Sequence, residues 1–185
     1  MKVFETPGAH NTEDACRVAI ERAKLLCAPI VSCSTEGPAG VKLCEIAKEM
    51  GFNGNIVIVT HAYGSREPGK NNLKEEHRQT MLSYGVQLVT AAHVLSGVER
   101  GMSRKFQGIY PAEIIAHTLR MFSQGIKVTV EISCMALDAG KIDYGSAVVC
   151  LGGTGRGLDT AVVITPAHAN NIFETKIHEI LCMPY

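Results

Sequence analysis

Apolar positions along the chain switch between two periods. The runs "PIVSCS" (29–34), "NIVIVTH" (55–61) and "VQLVTAA" (86–92) are short, rich in β-branched residues and bounded by polar or glycine positions, which predicts buried strands. Between them the spacing becomes helical. Val18, Ala19, Ala23 and Leu26 mark one face, with Asn11 or Thr12 as its cap and Glu13 and Asp14 in the first turn. Leu43, Ile46, Ala47 and Met50 mark the next, closed near Gly51, and a more charged helix follows from about Leu73 to Tyr84. Three β–α steps in succession predict a mainly parallel sheet covered by helices. Right-handed crossovers then bring the loops "STEG", "HAYGSRE" and "HVLSGVER" to one edge of that sheet.

The second half continues the alternation. Residues 111–125 read as a helix with Pro111 in its first turn and Gly125 past its end. Residues 126–140 satisfy both periods, and the closing "DAG" favours a helix with Gly140 as its stop. "AVVCL", "TAVVITP" and "HEILCMP" supply the last strands. No repeat or linker divides the 185 residues, a length that suits one domain over 1–185. The fold class expected is α/β, a three-layer α/β/α arrangement with a mainly parallel, mixed sheet.

Composition narrows the function classes. With 18 basic and 18 acidic side chains the formal charge is zero, which gives nucleic-acid binding no electrostatic support. No apolar run reaches the roughly 18 residues of a membrane span, and the first residues lack the apolar core of a signal peptide, so the expected location is the cytoplasm. The seven cysteines include no C-x-x-C pair, and the seven histidines show no H-x-x-x-H spacing; cysteine is expected as a small core residue and no metal is expected.

"LGGTGRGLDT" (151–160) places four glycines within six positions. Leu158 and Asp159 stand where a P-loop needs Lys and Ser/Thr, and Leu158 also breaks G-x-G-x-x-G, so both nucleotide fingerprints fail. What remains is either a hairpin connection or an anion-binding nest of backbone N–H groups, with Arg156 as a cation and Thr154 and Thr160 as hydroxyls.

Other candidates cluster in the same set of loops. His61 and His93 follow predicted parallel strands, where open α/β sheets place ligands. They would act there as hydrogen-bonding or acid–base groups, or simply close a strand end. Tyr63, Arg66, Glu67 and Lys70 share the loop beside His61; Arg66 either meets an anion or pairs with Glu67. "SGVERGMSRKFQG" carries Ser96, Glu99, Arg100, Ser103, Arg104 and Lys105, too irregular for a solvated helix and too cationic for simple packing. It is a second anion-site candidate or a subunit contact in a homo-oligomer. Glu131, in an apolar helix, is expected to be buried against an arginine. Cys33 is either a thiol nucleophile or an inward-facing strand residue.

"PIVSCSTEGPAGVKLCEIAKEMGFNGNIVIVTH" and "VVCLGGTGRGLDTAVVITP" resemble the phosphate-cradling loop and the closing glycine-rich loop of the C-terminal domain of pyruvate kinases. A stand-alone archaeal and bacterial family with this pyruvate kinase C-terminal domain-like fold is closer still. Its pattern runs from "FETPG…NTED" through "THAYGSREPGK", "HVLSGVERGMSRKF" and "YPAEIIAHTLRMFSQG" to "GGTGRGLDTA" and "EILCMP", essentially the whole chain. Members have been associated with bound FMN, without a settled activity. The resemblance implies that Ser34, Thr35 and Gly37 in the first loop, and Gly152, Gly153 and Thr154 in the second, face the phosphate. His61, His93 and Ser96 would lie near the ring or substrate. Glu36 and Ala39 stand where the pattern has hydroxyl residues, so a carboxylate arrives where an anion should sit. The function implied is binding of a small phosphorylated cofactor, FMN; the alternatives are a regulatory or assembly module sensing an anionic metabolite, and a flavin-dependent oxidoreductase.

Overall fold

The computed structural model describes residues 1–185 and resolves the alternation into seven strands and six α-helices. In chain order they are β1 (Lys2–Phe4), α1 (Thr12–Leu26), β2 (Ile30–Cys33), α2 (Pro38–Glu49), β3 (Ile56–Thr60), α3 (Glu75–Ser83), β4 (Gln87–Thr90), α4 (Gly97–Phe106), α5 (Pro111–Arg120), α6 (Gln124–Asp138), β5 (Val148–Gly152), β6 (Thr160–Thr165) and β7 (Lys176–Pro184). They form one mixed sheet in the order β1-β7-β6-β5-β2-β3-β4. The β5–β2–β3–β4 block is parallel, β6 is antiparallel to both neighbours, and β1 pairs parallel to β7.

The strands read as continuous apolar runs because both faces of the sheet are covered. Ile30, Ile56, Ile58, Val149 and Leu151 point to one core with Ile20, Leu43, Ile46 and Met81 of α1–α3. Their alternates Val31, Val57, Val59, Val148 and Cys150 point to a second core under Ile126, Val130 and Met135 of α6. The fold is thus three-layered α/β/α. Each fully buried Ile or Leu side chain contributes about 1.5–3 kcal/mol relative to exposure. No helix is long and apolar enough to cross a membrane.

The structure departs from the sequence reading in four places. β1 was not expected; its three residues have too little pattern to announce a strand. The helix read over 111–125 ends at Arg120, and Ser123 starts a new one by accepting the Ile126 N–H at 3.0 Å. Gly125 is therefore not a stop: a Cβ there would lie 2.0 Å from Thr160 Oγ1, so it is a packing glycine under β6. "GVERGMSRKF" is a solvated helix after all, α4, with no buried residue. Asn11 occupies the cap position of α1, yet its amide donates to the Thr6 carbonyl at 2.7 Å and caps nothing.

α6 approaches β5 through Gly152, where an added Cβ would lie 2.4 Å from the Gly125 carbonyl oxygen. Backbone cannot yield there, so Gly152→Ala should cost about 2–3 kcal/mol by overpacking. Gly101→Ala, in open space on α4, should shift stability by less than about 1 kcal/mol in the favourable direction. Urea unfolding of both variants checks this contrast.

Candidate functional site

Chain progression reverses between β2 and β5. The chain moves outward from β2 through β3 to β4, while β5 lies on the other flank of β2. At such a switch point the following loops diverge and leave a crevice beyond the carboxyl ends of the strands. A cavity of about 590 Å³ lies there, within the range of small-molecule sites.

Of the residues singled out by sequence, the cavity walls bring together Ser34, Thr35, His61, Arg66, His93, Ser96, Gly153 and Arg156. Gly37, Tyr63, Gly152 and Thr154 lie outside the walls. Gly37 serves packing: at φ +117° its Cα faces the His77 side chain, and a Cβ would come within 2.2 Å of it. Gly152 meets α6 as described, Tyr63 is 66% exposed, and the Thr154 carbonyl accepts Gly157 N–H in a turn. The glycine stretch is a hairpin connection between antiparallel strands, and it also walls the cavity with Gly153, Gly155, Arg156 and Gly157. Its far side is pinned to the N-terminal segment. A Cβ on Gly157 would lie 2.1 Å from Ala9 Cα, Leu158 N–H donates to Thr12 Oγ1, and buried Asp159 accepts from Gly8 N–H.

Glu36 does not meet an empty anion seat; it fills one. Arg66 donates to its carboxylate at 2.7 Å, and Arg156 lies 3.4 Å from the same oxygen. The hydrogen bond from Arg66 holds the Glu36 carboxyl below its usual range; burial opposes it, and the charges of Arg156, Arg66 and Lys74 add to the lowering. The Glu36 backbone carbonyl accepts Lys74 N–H and meets His77 Nδ1 at 2.9 Å, so the residue is fixed at both ends. Arg66 thus pairs with Glu36 and not with Glu67, which takes Lys70 instead. Ser34 Oγ accepts the Gly40 N–H at 3.1 Å, engaging the first hydroxyl with α2.

The floor is built by the strand ends and α6. His61 and His93 meet edge-to-face with ring centroids 4.7 Å apart, and the buried His61 Nδ1 has no hydrogen-bond partner. Burial pushes both imidazoles below 6.5; Lys127 adds to this and Glu131 opposes it. Glu131 is buried as expected, but its partner is Lys127 one turn earlier on α6, not an arginine, and its other oxygen accepts Leu95 N–H at 3.0 Å. An i,i+4 lysine satisfies it without crossing the cavity. Burial lowers the Lys127 pKa despite that pairing. The sequence carries a signal for this pair, Lys and Glu four apart in an apolar helix. Burial pushes the Cys33 thiol up to about 12, so it stays protonated and is not a thiolate nucleophile. Arg100 and Arg104 of α4 and Arg120 of α5 complete a wall of six cationic side chains against one carboxylate, Glu131.

No protein-family model matches the chain. Among solved structures it is similar to a mutant of O-ureido-L-serine synthase with O-ureido-L-serine bound, at 18% identity over 76% of this chain and 50% of that one, with a TM-score of 0.32. The chain spans about half the length of that protein, and the likeness is too distant to bear on the chemistry.

The histidine pair makes stability depend on pH. With both pKa values lowered by folding, the unfolded chain binds more protons between the folded values and 6.5. Stability therefore rises with pH through that window and is lost as pH falls, by at most about 1.4 kcal/mol per pH unit for each histidine. Urea unfolding from about pH 5 to 7 should show this slope, and His61→Gln/His93→Gln should flatten it.

Proposed function

We propose that this chain binds a small phosphorylated ligand in the cavity at the carboxyl edge of its sheet, with FMN as the occupant implied by the family it resembles. The observation that carries the reading is the wall charge: six cations line a space at a topological switch point, and the two carboxylates that pair with them, Glu36 and Glu131, leave positive charge in excess. An uncharged ligand would leave that potential unanswered.

FMN fits the residues present. The volume of about 590 Å³ accommodates a ligand of that size. The guanidiniums suit its phosphate, since their forks match phosphate oxygens. The unpartnered His61 Nδ1 offers a hydrogen bond to a ring heteroatom, as donor or acceptor according to tautomer. Val59, Val128 and Ile132 give the ring aliphatic walls. When bound, FMN supplies one- and two-electron transfer at its isoalloxazine. The chain's own contribution is to neutralise the phosphate, hold the ring edge at His61 and His93, and shield it beneath α4.

The test is titration with FMN and with riboflavin, which shares the ring and lacks the phosphate. FMN at about 100 times its Kd should stabilise the protein by about 2.7 kcal/mol, a rise of several degrees in Tm, and flavin absorbance should co-elute with the protein. Riboflavin should bind at least tenfold more weakly. A protein that shows no shift with FMN and elutes colourless would overturn the assignment of FMN.

A further inference from the structure

The cations of the cavity fall into two groups that differ in what already faces them. Arg66 and Arg156, beside the two loops that the family resemblance assigns to the phosphate, share the Glu36 carboxylate. The Ser34 hydroxyl beside them is engaged by Gly40 N–H. A phosphate entering there meets a carboxylate that is bound on one side by guanidiniums and fixed on the other through its backbone carbonyl.

The second group is open. Arg100 and Arg104 lie four apart on α4 and so share one helix face, and Arg120 ends α5; all three line the cavity. None of the protein's twelve ion pairs includes any of them. Arg120 donates through Nε to the neutral Gln124 amide, which leaves both terminal nitrogens for a ligand. We propose that the phosphate of the bound ligand seats on Arg100, Arg104 and Arg120, between α4, α5 and α6, and not on the β2–α2 and glycine-rich loops. This inference rests on the reading of the cavity as a phosphorylated-ligand site.

Two further observations support this seat. The field of these arginines reaches the cavity floor: Arg100 lowers the pKa of both His93 and Lys127, and Arg120 lowers that of Lys127. Glu131 offsets part of that repulsion at His93 and Lys127, and a dianion placed among the three arginines, which have no ion-pair partner of their own, relieves the rest. The second is mechanical. α4 buries no residue, and the hydrogen bonds tying it to α5 are Glu99 accepting Ala112 N–H and Ser103 Oγ donating to Glu113. A phosphate accepting from two arginines of α4 and one of α5 fastens the pair over the ring. The class of ligand is a phosphate monoester dianion, whose three terminal oxygens suit several guanidinium forks.

The experiment is calorimetric titration at constant ionic strength with two probes, inorganic phosphate and FMN. The proteins are the wild type, Arg100→Gln/Arg104→Gln, Arg120→Gln and Glu36→Gln, each checked for fold by circular dichroism and Tm. The double variant should weaken both probes at least tenfold. Arg120→Gln tests the seat from a different helix and should weaken them at least threefold. Glu36→Gln should change either affinity by less than threefold. Tighter phosphate binding in Glu36→Gln, by tenfold or more, with the arginine variants unchanged would place the seat at the loops and overturn the inference. FMN bound equally well by the arginine variants overturns it while the FMN reading stands. Phosphate bound in an arginine-dependent way with no binding of FMN keeps the seat and removes FMN. A wild type that binds neither probe overturns both.

Discussion

Everything at the cavity depends on a sheet whose central strands are buried on both faces. Val and Ile along β2, β3 and β5 point alternately to the two cores, so no strand interior is free to carry polar chemistry. Groups that must meet a ligand are confined to the strand ends. The parallel pairing of β2 with β3 and β5 then puts three of those ends on the same side. The one polar contact between the ends of β3 and β4, Thr60 Oγ1 to Thr90 Oγ1 at 2.7 Å, lies one residue before His61 and three before His93. The site is where it is because burial excludes it from elsewhere.

Within that edge, Glu36 changes what the loops can do. The β2–α2 loop, the Arg66 loop and the glycine hairpin come from three distant stretches of chain, and one carboxylate ties them together. Ion pairs this exposed add little stability, with Arg66 and Arg156 more than half accessible, so the consequence of the contact is organisation and charge. Glu36 offsets one of the two positive charges nearest the loops, whereas the arginines of α4 and α5 have no carboxylate partner. That imbalance is why the proposed phosphate seat lies on the α4–α5 wall of the cavity and not at the loops.

The physics that made the fold legible is the same physics that hid parts of the site. Strands β2, β3, β5 and β6 were readable because two-sided burial demands an unbroken apolar run, and the loops carrying His61 and His93 followed from their order. β1 was too short to show a pattern. The α5–α6 break was misread because Gly125 looks like a helix stop, whereas its role is set by Thr160, 35 residues away in sequence. α4 does carry an apolar stripe, Val98, Met102 and Phe106 four apart, but the glycines at 97 and 101 and the charges between them mask it, and the stripe stays exposed. Glu36 was visible as an anomaly, but its partners Arg66 and Arg156 lie 30 and 120 residues onward, and only the folded sheet edge brings them together. Lys127 and Glu131 were within reach of local reasoning, since i,i+4 pairing needs no tertiary information; burial alone had to be inferred.

The balance of charge illustrates how far composition can mislead about a site. Equal numbers of acidic and basic side chains give this chain no net charge, which argues against a broad polyanion surface. It places no limit on local segregation. Exposed pairs such as Arg17 with Glu13 and Glu49, and Arg22 with Glu179, consume carboxylates on the outer faces of the molecule. The cavity retains cations that those pairs do not neutralise, and its walls exclude part of the solvent that would screen them. A small dianion senses this local excess within about one Debye length, whereas a nucleic acid senses the whole surface. A chain neutral overall can therefore hold a phosphate firmly.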